Sequence, residues 1–433
     1  MYWLILPVLS TLLLAAHYSR HNETGLMLLC ILLPPLLFVR KRWILHVFKI
    51  FLLIGALEWL GTLLNLVQQR MMMEQPWIRL IFILGTVIIF TLWSTTVFKK
   101  RKLSDFYKTD KISPVAMVSA FFLTFILLSI VQLVVENPML LVERFLPGLG
   151  WVQILAFSFY AAWITEIYLS LRTTSLLRRR IWLLFSIVFF TQLLLGLAGI
   201  EKLLMTGKLH LPVPAMIVAG PIFRGAGLFM PILFIVTMIL VGPAWCSHLC
   251  YIGSWDNFTA NTQRRPTELP KWTGKMRLAI LAGIILISIL LRYLEVSGVV
   301  ATILGAAFGL IGVGVMVFWS RRQGAMTHCL VYCPIGLLAN WLGKLSPFRL
   351  KLNENCTECG ACTFSCRYNA LNKNNIEKKI PASTCTLCGD CVGSCPHQAI
   401  NYRFISMIPE TARYFFVVLV ISLHAVFMAV ARI

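Results

Sequence analysis

The stretch that decides the architecture reads Cys356-Thr-Glu-Cys359-Gly-Ala-Cys362-Thr-Phe-Ser-Cys366 and then Cys385-Thr-Leu-Cys388-Gly-Asp-Cys391-Val-Gly-Ser-Cys395-Pro396. The second copy begins 29 residues after the first and keeps the same spacing of cysteines. The surrounding region, 353–402, is polar and rich in turn-forming residues, and it is too short to bury a hydrophobic core of its own. We therefore expect this region to fold around ligands that its cysteines bind.

The spacing of these cysteines is that of the bacterial two-cluster ferredoxins, which hold two [4Fe–4S] clusters. Three closely spaced cysteines let a tight loop wrap one cluster, and the fourth begins the chain leading away, so it reaches the other cluster. The sequence therefore predicts two crossed ligand sets. The first set is Cys356, Cys359, Cys362 and Cys395, and the second is Cys385, Cys388, Cys391 and Cys366.

A zinc module is the alternative for a cysteine-rich segment of this size. Zinc sites usually take two cysteine pairs separated by a longer gap, which the regular spacing here does not match. One departure from the ferredoxin pattern is Arg367, which follows Cys366 where proline is usual. We expect Arg367 to change the local turn and the polarity beside one cluster without removing a ligand.

The rest of the chain has the composition of a membrane protein. Of its 433 residues, 58% are hydrophobic and 13% are charged, whereas a soluble domain has about 25% charged residues. A membrane helix needs about 20 mostly apolar residues, and the sequence offers eleven candidate spans, at 2–18, 25–39, 43–67, 77–98, 114–135, 149–171, 181–200, 226–244, 276–296, 299–320 and 411–431. The second is short and contains Pro34 and Pro35, which would kink it. The first lacks the basic start and cleavage site of a signal peptide, so we interpret it as a membrane helix.

Basic residues indicate which side of the membrane each loop faces. The formal net charge is +22, but the Lys and Arg residues cluster between the apolar runs, as at 40–42, 99–102 and 178–180. With the amino terminus inside, the cytoplasmic segments hold 28 Lys and Arg residues and the opposite segments hold 7, as the positive-inside rule requires. This pattern argues against nucleic-acid binding and places every paired cysteine on or near the cytoplasmic side.

These observations predict an all-α polytopic membrane protein of about eleven transmembrane helices, with a small α+β two-cluster ferredoxin-like domain on the cytoplasmic side. The predicted parts are an N-terminal membrane helical module at 1–175, a membrane core at 176–345, the ferredoxin-like domain at 346–405 and a C-terminal transmembrane helix at 406–433. Membrane lipid is therefore an expected partner of the helical parts.

Two further cysteine pairs lie at the ends of predicted spans: Cys246-Ser-His-Leu-Cys250-Tyr-Ile-Gly253 and Cys329-Leu-Val-Tyr-Cys333-Pro-Ile-Gly336. They stand 83 residues apart and share the pattern C-x3-C-x-I-G, which indicates an internal repeat. On an α-helix, residues four positions apart share one face, so each element would present two thiols. We predict that the four cysteines form one shared site for an iron–sulfur cluster or a single iron or copper ion.

Other groups near these pairs leave alternatives open. His248 and His328 lie within or beside the pairs and are further candidate ligands. The four cysteines would otherwise be reduced thiols that pack helices, or a thiol/disulfide switch. Cys30, which belongs to none of these motifs, stands alone in an apolar run and is most simply a small buried hydrophobic residue.

The set of motifs resembles a known family. Two CxxxCP-type elements at span ends, followed by a two-cluster ferredoxin, are similar to the NapH/NosR/MauN-type membrane ferredoxins, which include the CcoG-type cupric reductases. The resemblance covers about residues 181–405 and departs at Tyr251, which stands where the family has proline. The flavin-binding domain of the NosR type is not recognisable, and the six N-terminal spans exceed those of the small NapH type. The resemblance implies a multi-pass protein of the bacterial inner membrane that exchanges electrons with quinol or a membrane redox partner.

A carboxylate lies inside one apolar span. Glu58 falls near the middle of the third predicted span, where an ionisable residue usually marks a proton path, a ligand site or a contact with a partner. We predict that Glu58 belongs to a quinol or proton site.

The sequence as a whole predicts electron transfer between a quinol or membrane redox partner, the CxxxC site and the two ferredoxin clusters. A membrane metal reductase, acting on cupric or ferric ions at the CxxxC site, is the first alternative. A redox sensor or an assembly factor is the second. The physiological donor and acceptor, the direction of electron flow and the oligomeric state do not follow from the residues.

Overall fold

The computed structural model describes residues 4–39, 41–99, 107, 114–204, 211–270 and 272–430. The chain divides into two compact units, Met1–Glu166 and Ile167–Ile433, and each is described by itself. Helices make up almost all of the regular structure described in both units, as the long apolar runs predict.

The first unit is built from helices joined by short turns. Its helices are α1 (Ile5–Arg20), α2 (Thr24–Leu32), α3 (Arg42–Met72), α4 (Ile78–Thr96), α5 (Pro114–Val134), the short helix Leu141–Phe145 and α6 (Gly150–Ser170), with 3₁₀ turns at Pro34–Val39 and Val97–Lys99. The last residues of α6 belong to the second unit. Cys30 is fully buried with Leu14, Ala15 and Trp59, so it packs as a small hydrophobic residue.

The second unit contains further membrane helices and all of the paired cysteines. Its longer helices are α7 (Ser175–Leu197), α8 (Met216–Arg224), α9 (Phe229–Val241), α10 (Tyr251–Ala260), α11 (Thr273–Tyr293), α12 (Gly298–Gly314), α13 (Pro334–Leu342) and α14 (Pro409–Val430). Between them lie π-helical turns at Trp245–Leu249, Val315–Ser320 and His328–Tyr332, 3₁₀ turns at Glu201–Leu203 and Gly242–Ala244, and the short helix Arg321–Gln323. Two of the π-helical turns carry the CxxxC elements, so the local geometry of those elements differs from an α-helix.

A two-stranded sheet closes the small α+β part. Strand β1 (Phe348–Leu352) pairs with strand β2 (Ile400–Phe404) in antiparallel register, with Phe348 opposite Phe404. The rings of Phe348 and Tyr402 pack on Phe416 of α14, with ring centroids 5.3 Å and 4.7 Å away. The sheet therefore rests directly on the last membrane helix.

The two cysteine loops between the strands have matching backbones. Each leads into a short helix, Ala361–Ser365 in the first loop and Asp390–Ser394 in the second, with the helix Lys373–Glu377 between them. Gly360 and Gly389 precede these two helices with φ of +73° and +78°, a left-handed conformation that glycine adopts at little cost. Ser365 and Ser394 share a hydrogen bond of 2.8 Å, which ties the loops together.

Nine helices in the described part of the chain are long and apolar enough to cross a membrane. They correspond to nine of the predicted spans and start at Arg42, Ile78, Pro114, Gly150, Ser175, Phe229, Thr273, Gly298 and Pro409. The first two predicted spans instead form α1, with 16 residues, and α2, with 9 residues. The chain tightens into a 3₁₀ turn from Pro34, because proline cannot continue an α-helix without losing a backbone hydrogen bond. The predicted count of eleven is therefore not confirmed.

Candidate metal centres

Four ferredoxin-motif cysteines line one cavity at the surface of the α+β part. The cavity contains about 300 Å³ of space and its lining includes Cys356, Cys359, Cys362 and Cys395. Cys359 is exposed and Cys356 is half-buried, whereas Cys362 and Cys395 are buried. This cavity, called the outer cavity below, therefore opens to solvent on one side.

The other four ferredoxin-motif cysteines line a second cavity. It contains about 290 Å³ of space and its lining includes Cys366, Cys385, Cys388 and Cys391, together with Leu350 and Tyr368. Three of the four cysteines are buried and Cys385 is half-buried. This is the inner cavity. The structure thus brings together the two crossed sets that the spacing predicts, and the binding of a cluster by each set stays a prediction.

Polar contacts in the two cavities suit thiolate ligands. The N–H of Ala370 donates to the Sγ of Cys366, and the N–H of Ala399 donates to the Sγ of Cys395, both at 3.3 Å. Burial raises the pKa of Cys362 to about 11 and that of Cys385 to about 12. These thiols are therefore protonated at neutral pH without metal, and metal binding must release their protons. Four cysteine sulfurs around one cavity, with backbone N–H donors, are the ligands that [4Fe–4S] clusters take.

The two CxxxC elements have the same local backbone. The N–H of Cys250 donates to the oxygen of Trp245 at 2.9 Å, and the N–H of Cys333 donates to the oxygen of His328 at 2.8 Å. Both bonds span five residues, as in a π-helix, and such turns are frequent at functional sites. The expected α-helical arrangement is therefore wrong: each second cysteine is extended and starts the following helix, α10 or α13.

A glycine is required at the end of each element. A Cβ atom on Gly253 would lie 2.8 Å from the carbonyl oxygen of Cys246, and one on Gly336 would lie 2.5 Å from that of Cys329. Both distances are too short for a real Cβ contact, and the obstacle is backbone. The shared Gly in C-x3-C-x-I-G therefore lets the start of the following helix pack on the first cysteine.

The four cysteines of these elements lie in one buried region, called the boundary site below. Cys246, Cys250, Cys329 and Cys333 are all buried. Burial raises the pKa of the Cys329 thiol, and the charges of Asp256 and of the other three thiolates raise it further. Among the described residues, no three of these sulfurs lie within 4.8 Å of one another. Four thiolates around one zinc-like ion would be about 4 Å apart, so these sulfurs do not have the arrangement of four ligands to one such ion.

A buried cation lies beside the boundary site. Arg277 of α11 is 5% exposed, and its Nη2 is 2.7 Å from the point that a Gly336 Cβ would occupy. With the Asn340 amide oriented to satisfy its neighbours, its oxygen accepts from Nη1 of Arg277 at 3.1 Å. The Nε of Arg277 has no hydrogen-bond partner. A buried cation with an orphaned donor beside four thiols fits an anionic occupant such as a thiolate-bound cluster.

A second set of ligand atoms shares one of these cysteines. Asp256, His328 and Cys329 place their ligand atoms within 4.8 Å of one another. Asp256 is fully buried. One of its oxygens accepts from the N–H of Cys329 at 3.0 Å, and the other has no partner. This set could hold a single ion, and it shares Cys329 with the boundary site.

Hydrogen bonds join the first CxxxC element to the loop of the inner cavity. Arg178 of α7 donates to both carboxylate oxygens of Asp390, at 3.1 Å and 2.7 Å. The same guanidinium donates to the oxygen of Ser247 at 2.9 Å, and the Ser247 hydroxyl donates to the oxygen of Thr386 at 3.0 Å. Tyr368 completes the contact by donating to the oxygen of Cys246 at 3.4 Å. The boundary site and the inner cavity are thus in direct contact.

Arg367 anchors the ferredoxin loop from the position where proline is usual. Its guanidinium donates to the oxygen of Gly324 at 2.8 Å and to that of Gln263 at 2.9 Å. Its own carbonyl oxygen accepts from the N–H of Met326 at 2.9 Å. Arg367, which departs from the ferredoxin pattern, therefore docks the α+β part on the adjoining loops.

Glu58 has a partner within the first unit. Its Oε1 lies 3.6 Å from Nε2 of His17, and the Glu58 side chain is 45% exposed. The hydroxyl of Thr62 lies 3.4 Å from the same His17 nitrogen, and the His17 ring packs on Trp59 with centroids 4.6 Å apart. The predicted site residue therefore belongs to a small polar group between α1 and α3.

Sequence reasoning missed Arg178, Asp256, Arg277 and Asp390. Each is a charged residue that no local spacing marks as part of a site: Arg178 begins a basic run, and Asp390 lies between two motif cysteines. The only signal available was the cost of burying a charge, which applies to every charged residue in such a chain.

Two protein families match parts of the chain. The 4Fe-4S dicluster domain matches residues 355–400, which include the eight ferredoxin-motif cysteines. The 4Fe-4S binding domain matches residues 223–264 and 303–353, which include the two CxxxC elements. Both cysteine regions of the chain are therefore similar to 4Fe-4S binding domains.

One curated relative is similar to the chain over part of its length. It is named "Putative electron transport protein YccM", from Escherichia coli (strain K12), and is 28% identical over 193 residues. The match covers 40% of this chain and 51% of the relative, so the chain spans about half the length of that protein. No solved structure matches the chain.

Proposed function

We propose that this protein is a membrane iron–sulfur electron carrier with three [4Fe–4S] clusters in series. The outer cavity, the inner cavity and the boundary site each bind one through four cysteine thiolates. A bound cluster supplies a reversible one-electron acceptor. Support comes from the 4Fe-4S families that match both cysteine regions and from a relative named for electron transport. The observation that carries the proposal is the direct contact between the first CxxxC turn and the inner-cavity loop.

The packing supports an order for the three sites. Arg178, Ser247 and Tyr368 hold the inner-cavity loop against the boundary site, which fixes the distance between these two groups of sulfurs. The outer cavity exposes Cys359 to solvent, which gives a soluble protein access to it. We infer an electron path from the boundary site through the inner and then the outer cavity, ending at a soluble redox partner.

The basic segments support a cytoplasmic position for the cysteine sites, in a bacterial inner membrane. Eleven spans would add α1 and α2 to the nine long helices. The counts of eleven and nine spans differ by two. Because each span takes the chain across the membrane once, every loop after residue 40 faces the same side of the membrane in both counts. Reporter fusions near Lys373 should read internal and fusions after Ile433 external, and the reverse pair of results would overturn this orientation.

Glu58 and His17 are our candidate proton acceptors for a quinol donor. Oxidation of a quinol releases protons, and a carboxylate in an apolar helix next to a histidine can receive one. Glu58→Gln should abolish reduction by a quinol analogue but leave reduction by dithionite unchanged. Glu74→Gln, at the exposed turn after α3, is the matched control. Equal rates in both variants would remove Glu58 from the pathway.

A metal reductase is the second candidate, favoured by the Asp256, His328 and Cys329 group. A single ion held there depends on His328 and not on Cys246, whereas a cluster at the boundary site depends on Cys246. His328→Ala and Cys246→Ser therefore separate the two functions. Loss of bound metal only in the histidine variant supports the reductase, and loss only in the cysteine variant supports the electron carrier.

The electron-carrier proposal is tested by reduction of anaerobically purified protein. Absorbance near about 400 nm should bleach with dithionite and with a quinol analogue. Cys333→Ser should keep the response to dithionite through the two ferredoxin clusters and lose the response to quinol. A wild-type protein that holds its clusters but is never reduced by quinol would favour the redox sensor or assembly factor.

A further inference from the structure

Two buried arginines lie beside groups of four cysteines, and in the described part of the chain one of them has a carboxylate partner. Arg178, beside the inner cavity, forms a two-point ion pair with Asp390. Arg277, beside the boundary site, forms no ion pair with any carboxylate among the residues that the structure describes. The charge of Arg178 is therefore paired with a carboxylate, whereas that of Arg277 is not paired with one in the described part of the chain.

The guanidinium of Arg277 lies beside the boundary site. It lies against Gly336, in the same turn as Cys333, and the neutral amide of Asn340 holds one of its nitrogens. The positive charge thus lies beside the second CxxxC element.

We propose that Arg277 raises the reduction potential of the cluster at the boundary site and so makes it the acceptor for the membrane donor. This inference rests on the proposed binding of a [4Fe–4S] cluster there. Reduction transfers one electron from the donor, a quinol or a membrane redox protein, and adds one negative charge without breaking or forming a bond. A fixed positive charge stabilises the more negative form, more strongly in a buried site than in water. Arg277 holds a positive charge beside the cluster and is not one of its ligands.

The test is a redox titration followed by electron paramagnetic resonance. The boundary signal is identified as the one that Cys333→Ser removes. Arg277→Gln should lower its midpoint potential by at least the equivalent of a tenfold change in the equilibrium constant for reduction, which is about 59 mV for one electron. Arg277→Lys, which keeps the charge, should retain most of the wild-type potential. Arg292→Gln, at the exposed far end of α11, should leave it unchanged.

A second variant keeps the inference testable if Arg277→Gln fails to retain the cluster. Asn340→Asp leaves Arg277 in place and gives it the carboxylate partner that Asp390 gives Arg178. It should lower the boundary potential as Arg277→Gln does. An unchanged potential in every variant that retains the cluster contradicts the inference and leaves the electron carrier intact. A wild-type protein without any signal that Cys333→Ser removes contradicts both.

Discussion

The two CxxxC turns have the same backbone and different neighbours. In the first turn, Trp182 packs on Gly253 and donates to the oxygen of Cys250 at 2.7 Å. In the second turn, Arg277 packs on Gly336. An aromatic ring thus packs on the glycine of the first element, and a cation packs on the corresponding glycine of the second. The shared backbone places the sulfurs, and the neighbours decide what each turn adds: contact with the ferredoxin loop from the first, and charge from the second.

The largest effect is expected where the first turn meets the ferredoxin loop. Arg178→Met removes one partner of a buried ion pair and leaves Asp390 uncompensated, which typically costs about 3–5 kcal/mol. We expect the α+β part to dock less tightly, so that proteases cleave within 353–402 much faster and electrons no longer equilibrate between the boundary site and the inner cavity. Arg180→Met, two residues away and exposed, is the control. Equal cleavage rates in the two variants would mean that this pair does not hold the domain.

Asp390→Asn should make the inner cavity resemble the boundary site. It leaves Arg178 buried without a negative partner, so the cluster proposed for the inner cavity should become easier to reduce. The expected change is a rise in its midpoint potential in a redox titration, opposite in sign to the change from Asn340→Asp at the boundary site. A fall or no change would show that the two arginines do not act through charge.

The glycine of the second turn allows a test of the shared backbone. Gly336→Ala would force a Cβ against the carbonyl of Cys329, 2.5 Å away, and overpacking of this kind costs about 1–3 kcal/mol. We expect iron to be lost from the boundary site while the ferredoxin irons remain. Gly314→Ala, where nothing lies within 4 Å of the new Cβ, should keep all of its iron. Full iron content in Gly336→Ala would show that the turn tolerates a shift.

The smallest effect is expected from the aromatic neighbour of the first turn. Trp182→Phe removes the hydrogen bond to Cys250, which contributes about 0.5–1.5 kcal/mol, and removes no charge. The protein should lose a little thermal stability, and the midpoint potential of the boundary site should stay at the wild-type value. A shift as large as that of Arg277→Gln would mean that packing, rather than charge, sets the potential.

The cysteine groups could be predicted from the sequence because ligand spacing is a local property. The crossing of Cys366 and Cys395 between the two ferredoxin loops follows from the three-residue gap before each fourth cysteine. The repeat of the CxxxC elements was equally visible. Their π-helical geometry could not be predicted, because the extra residue that turns an α-helix into a π-helical turn leaves no mark in the C-x3-C pattern.

The charges around these sites could not be predicted, because they depend on contacts between distant segments. Arg178 meets Asp390 across 212 positions, and His17 meets Glu58 across 41 positions of the chain. The hydropathy pattern predicted nine helices that are long and apolar enough to span a membrane. Its two further spans at the amino terminus form the shorter helices α1 and α2, and Pro34 and Pro35 follow the end of α2, which composition alone would extend.

The most direct test of the account is the number of irons and sulfides per chain. Three clusters predict about twelve of each in anaerobically prepared wild-type protein, because each [4Fe–4S] cluster holds four. Cys250→Ser and Cys333→Ser should each reduce the count to about eight and leave the ferredoxin clusters in place. A count of about eight in the wild type, unchanged in both variants, would contradict a cluster at the boundary site and return its four cysteines to helix packing or a thiol switch.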